Sequence, residues 1–115
     1  LFYQYLQNNG IKVTFEAIAK PECNLKEHID PLKAALAHEK YVTELINAIY
    51  AAALDDHDYR TMQLLDWFVK EQGEEEKNAA DMVTKMELFG SDMKSLYMLN
   101  NELKSRVYTA PSLVL

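Results

Sequence analysis

The chain has 115 residues with a formal net charge of −6, 49% hydrophobic and 26% charged, which is the make-up of one globular domain at most and not of a disordered or fibrous chain. The acidic balance, with no local Lys/Arg cluster, argues against nucleic acid and favours cations as partners. Cys23 is the single cysteine, so no intrachain disulfide is possible; with no basic leader and no apolar run long enough to span a bilayer, a cytoplasmic protein in a reducing compartment is expected.

Leu1-Phe2-Tyr3-Gln4-Tyr5-Leu6 has no N-cap ahead of it and reads as the last turns of a helix over 1–9, with Gly10 in the position that ends helices. With no initiator Met, the start of that helix is expected to be missing and the chain to be a piece of a longer protein. Residues 11–15 alternate apolar and polar, and 17–23, with Pro21, have no helical period. An extended connection over 10–23 is expected, too long for a tight turn and suited to a crossover.

Asn24 followed by Glu27 has the form of a capping box, which predicts a helix over 24–54 with a mild bend at Pro31. The alternative is a start with Asp30 as N-cap and Pro31 at the first helical position. Residues 55–57 read as a turn, Asp58 as the cap of a helix over 58–89 that stops at Gly90, and 92–107 as a short helix with Leu96, Leu99 and Leu103 on one side. Two helices of about thirty residues joined by a few form a hairpin roughly 45 Å long.

Both long helices carry polar residues on an otherwise apolar stripe. In the second, Phe68, Gln72, Glu75, Ala79, Met82 and Met86 step by three and four; in the first, Leu32, Ala35, Glu39, Val42, Ile46, Ile49 and Ala53 do the same. In an antiparallel hairpin Glu39 and Gln72 both lie about 15 residues from the turn and so at one height. Buried without partners, an amide and carboxylates would cost a few kcal/mol each, and a hard cation is the leading candidate to satisfy them. The blander reading of Glu74-Glu75-Glu76 is a solvated face laced by Lys70, Lys77 and Lys85. Tyr41, Leu45, Tyr50, Leu64, Leu65, Trp67 and Val83 lie off the stripe, so each long helix has more apolar surface than one neighbour covers, and a four-helix arrangement is expected. His28, His38 and His57 read as surface or boundary histidines.

His38-Glu39, Ile46-Asn47, Asp58-Tyr59, the run from Trp67 to Lys77 and the terminal Leu96-Tyr97-Met98-Leu99 with Glu102-Leu103 together resemble the bacterial-type non-haem ferritins. The resemblance implies an all-α, ferritin-like four-helix bundle, here incomplete. Residues 1–9 would match the end of the family's second helix, 24–54 the third, 58–89 the fourth and 92–107 the short fifth. It also implies iron storage and detoxification in a homo-oligomeric shell, each subunit oxidising Fe²⁺ to Fe³⁺ at a di-iron ferroxidase centre.

Carried over by position, Glu39 matches the bridging carboxylate, Gln72 and Glu75 match ligands of the second iron, and Glu71 and Glu74 match carboxylates of an accessory iron site. Trp67 matches an aromatic packed near the centre. The fourth-helix Glu-x-x-His of bacterioferritin and rubrerythrin is replaced here by Gln72-Gly73-Glu74-Glu75. Departures from the pattern are Pro31, Gly73, Ser95 and Asn100-Asn101, none of which removes a ligand. The first-helix Glu and second-helix Glu-x-x-His of the family would precede Leu1, so the chain is expected to hold half a centre and to be inactive alone. Two other readings stay open: a homodimer with a symmetric metal site, and a non-catalytic helical fragment.

Overall fold

The computed structural model describes residues 1–21 and 24–115; within them lie four α-helices and no strand. They fall into two units, one of residues 1–21 with Val107–Leu115 and the other Asn24–Arg106. In the first unit, α1 (Phe2–Asn8) closes with the Gly10 amide donating to the Gln7 carbonyl (2.9 Å) and the Ile11 amide to that of Leu6 (2.9 Å). This crossed pair needs a left-handed residue between its members, and Gly10 supplies it at φ 72°. The expected extended connection contains no strand over 11–21, and Phe15 returns to stack on Tyr3 of α1 at 5.8 Å; the expectation for its last two residues, Glu22 and Cys23, lies outside the described residues.

The second unit is built on α2 (Asp30–Asp55) and α3 (Tyr59–Phe89), which pack along each other, with α4 (Met93–Lys104) against α3. At 1.5 Å per residue the long pair measure about 39 and 46 Å. The helix expected from Asn24 starts instead at Asp30, and the Asn24–Glu27 capping box does not form. Asp30 turns its carboxylate back onto the amides of Lys26 (2.8 Å) and Glu27 (2.9 Å), and Pro31 lies in the first turn, where its missing N–H costs no hydrogen bond. A helix running through from Asn24 would have put the proline ring against a carbonyl one turn earlier.

At the other end of α2 the His57 amide donates to Leu54 O (3.1 Å) and the Asp58 amide to Ala53 O (2.8 Å), the same closure as α1 but with His57 at φ 56° in the left-handed position. Asp58 then caps α3 by accepting from the Thr61 amide (3.1 Å), and Asp92 caps α4 on the amides of Lys94 and Ser95 (3.0 Å each). Between α3 and α4, Gly90 is required by close approach: a Cβ there would sit 2.4 Å from the Met86 carbonyl oxygen and 2.5 Å from its sulfur. The short terminal helix stops at Lys104, earlier than the expected 107, where the Ser105 hydroxyl turns back to the Glu102 carbonyl (2.7 Å).

The buried apolar residues are Ile46, Ala53, Leu64, Leu65 and Leu99. Leu64 and Leu65 were expected off the packing stripe, yet Leu65 is the most completely enclosed side chain, at 0% exposure, while Ile49, expected on the stripe, is 45% exposed. The face α2 turns to α3 carries Thr43, which bonds Gln72 and Glu76, and Tyr50, whose hydroxyl donates to Asp66 (3.0 Å). Among the described residues no helix is long and apolar enough to cross a membrane.

Candidate metal centre

Gln72, at 8% exposure, is the buried polar residue of the described chain. Its amide nitrogen donates across the hairpin to the Glu39 backbone carbonyl (3.0 Å), to the Glu39 carboxylate (3.2 Å) and to the Thr43 hydroxyl oxygen (3.2 Å). Sequence spacing placed Glu39 and Gln72 at one height, and here the two side chains touch. An amide nitrogen has two hydrogens. Both are spent on α2, which leaves the amide oxygen as the atom able to face a cation.

These bonds correct one expectation. The polar residues of the stripe do not need an ion to be tolerated, because Glu39 and Thr43 satisfy the Gln72 amide and no buried side-chain nitrogen or oxygen among the described residues lacks a partner.

Glu75 is exposed, one turn along α3 from Gln72. It lines with Glu39 an open groove of about 190 Å³ whose other lining residues include Ala35, Ala79, Met82 and Arg106. Glu71 is half-buried and Glu74 exposed, and neither takes part in the cross-helix bonding. Among the described residues no three His, Cys, Asp or Glu side chains converge closely enough to hold a metal, so the grouping that the structure does show is two carboxylates and one amide.

The lysine lacing of the blander reading is not seen among the described residues: Lys77 pairs with Asp81 (2.6 Å) and Lys85 with Glu102 on α4. His38 is exposed beside Tyr41, with ring centres 6.3 Å apart, and Trp67 meets Phe68 edge-on at 4.9 Å.

Two residues that sequence reading passed over belong to the same cluster. Thr43 donates its hydroxyl proton to Glu76 (2.6 Å), and Glu76 is the half-buried member of the Glu74-Glu75-Glu76 run. Their signal was present: Thr43 follows Glu39 by four, and Glu76 follows Gln72 by four, so each pair shares a helix face. A stripe drawn strictly at alternating three and four passes from Gln72 to Glu75 and steps over Glu76.

An all-oxygen set of two carboxylates and an amide, on a long two-helix hairpin, is the donor chemistry of a hard cation. The chain matches the ferritin-like domain over residues 1–89 and belongs to the ferritin family. The relatives it resembles include bacterial non-heme ferritins. It is 32% identical over 101 residues to the bacterial non-heme ferritin of Campylobacter jejuni, covering 88% of this chain and 60% of that protein. It is 30% identical over 101 residues to a probable bacterial non-heme ferritin-like protein of Haemophilus influenzae, covering 88% and 61%.

Among solved structures, a ferritin of Archaeoglobus fulgidus engineered into a closed form superposes with a TM-score of 0.89 at 31% identity, covering 93% of this chain and 65% of that one. The all-α ferritin-like fold is thereby shown. The chain spans about three fifths of the length of these relatives, at 60% and 61%.

Proposed function

We propose that this chain serves iron storage and detoxification, contributing Glu39, Gln72 and Glu75 to a di-iron centre that oxidises Fe²⁺ to Fe³⁺. The observation that carries the reading is the Gln72–Glu39 bond, which joins two expected ligands across the hairpin, with Glu75 on the same groove. In this reading α1 corresponds to the end of the family's second helix, and α2, α3 and α4 to its third, fourth and fifth.

Fe²⁺ is the substrate, and each ion gives one electron to dioxygen. Glu39 and Glu75 supply the negative charge that draws the cation in and favours the more highly charged ferric product, while the neutral amide oxygen of Gln72 adds a ligand without adding charge. Glu71 and Glu74, outside this cluster, are proposed as carboxylates of an accessory iron position. These residues make up part of a centre, and the remaining donors come from outside them. The exposed Tyr41, Leu45, Ile49 and Val69 form an apolar surface suited to packing further helices and, through them, to a homo-oligomeric shell.

The test is thermal unfolding of the chain under anaerobic conditions with and without excess Fe²⁺. Binding to the folded state alone at a hundredfold excess over Kd adds about 2.7 kcal/mol, so an upward shift in Tm is expected, and Glu39→Ala should remove it. An unchanged Tm at excess Fe²⁺ would favour the non-catalytic helical reading.

A further inference from the structure

We propose that Glu76, acting through the Thr43 hydroxyl, fixes which way round the Gln72 amide sits and is thereby a positioning residue for the cation site. The inference rests on the reading that Gln72 presents its oxygen to Fe²⁺, and it concerns two residues that are not themselves ligands in that reading.

Thr43 has one hydroxyl proton and two acceptors within reach, Glu76 Oε1 at 2.6 Å and the Glu39 backbone carbonyl at 3.1 Å. The carboxylate wins on distance and charge, because an O–H donated to an anion is roughly twice as strong as one donated to a neutral group. With its proton committed to Glu76, Thr43 offers Gln72 only lone pairs, and only the N–H side of the amide can answer them at 3.2 Å. The amide oxygen is then turned away from Thr43. Were Glu76 unable to accept, the Thr43 proton would be free to point at Gln72, and the amide could sit the other way round.

Glu39 shares in this orientation: its backbone carbonyl accepts from the amide nitrogen at 3.0 Å, while its carboxylate, at 3.2 Å, is the group expected to turn to the cation. The Thr43–Glu76 pair keeps its grip whether or not Glu39 is engaged. Such outer partners set ligand orientation at metal sites and, when removed, typically cost ten- to a hundredfold in affinity.

The experiment has two arms on the full chain. In the metal-free protein, NMR is used to follow exchange of the Gln72 side-chain amide protons with water. Slow exchange is expected in the parent and in Thr43→Ser, which keeps the hydroxyl, with faster exchange in Thr43→Val. Equal exchange in Thr43→Val and the parent overturns the proposal.

In the second arm, anaerobic Fe²⁺ titration compares Glu76→Leu, which keeps no acceptor, and Thr43→Val with Thr43→Ser and with Glu44→Gln, an exposed carboxylate next to Thr43 in sequence. About tenfold weaker binding is expected for the first two and parent-like binding for the last two. Equal weakening in Glu44→Gln, or none in Thr43→Val, also overturns it, since charge alone would then explain the loss. A parent that binds no Fe²⁺ while the exchange pattern holds would instead remove the proposed function and leave the orienting role of Thr43 intact.

Discussion

Near its turn the α2–α3 hairpin buries Ile46, Ala53, Leu64 and Leu65, whereas farther out the residue it buries is Gln72, flanked by Glu39, Thr43 and Glu76. In the near half apolar contact dominates beside the single Tyr50–Asp66 bond, and what matters there is volume. In the far half it is held by hydrogen bonds between side chains that leave two carboxylates, Glu39 and Glu75, on an open groove. One helix pair thus has an end that resists change in shape and an end whose polar groups are paired with each other and still reachable.

The largest expected effect is in the near half. Leu65→Ala removes a side chain that is fully enclosed and should lower the unfolding free energy by about 3 kcal/mol in urea denaturation. Glu75→Ala in the far half should change it by no more than about 0.5 kcal/mol, as an exposed substitution. Equal losses in the two would break the contrast.

Gly73, next to Gln72, sharpens it from the other side. A Cβ there meets nothing within 4 Å, so Gly73→Ala should stabilise α3 by roughly 0.8 kcal/mol, read as a higher urea midpoint at unchanged slope. The same added methyl would not be accepted beside the enclosed Leu65.

The smallest effect is at the caps. The Asp58 carboxyl is held below its ordinary 3.8 chiefly by the Thr61 hydroxyl and then the Thr61 amide, and Asp92 likewise by Ser95. A carboxyl depressed in the folded state binds fewer protons there than in the unfolded chain, so its contribution is complete above 3.8 and is lost as pH falls through the lower folded value. Tm should therefore drop on acidification through this window, and Asp58→Asn should flatten part of that drop.

What the sequence made legible follows the range of the interactions. Asp58 and Gly90 bracket α3 because cap chemistry is decided within a few residues, and Asn8-Asn9-Gly10 closes α1 for the same reason. The height match of Glu39 and Gln72 also came through, since helical rise is fixed and the turn is short. Of the two helix starts the sequence left open, the later one near Asp30 and Pro31 is realised, because these two together outcompete a capping box that looked sound by itself.

The exact packing face did not come through. A stripe of alternating threes and fours is narrower than the face a helix buries in a globular protein, so it leaves Leu64 and Leu65 for other helices to cover and takes in Ile49. The same narrowness hid Thr43 and Glu76. That Gln72 is satisfied by its neighbours was not readable either, because the second partner, Thr43, sits on the other helix and off the drawn stripe.

The most direct test of the account is an anomalous difference map from crystals of this chain grown anaerobically with Fe²⁺. The account predicts a peak in the groove shared by Glu39 and Glu75, with the Gln72 amide oxygen turned toward it. Iron at some other carboxylate pair, or a Gln72 amide with its nitrogen facing the metal, would contradict it.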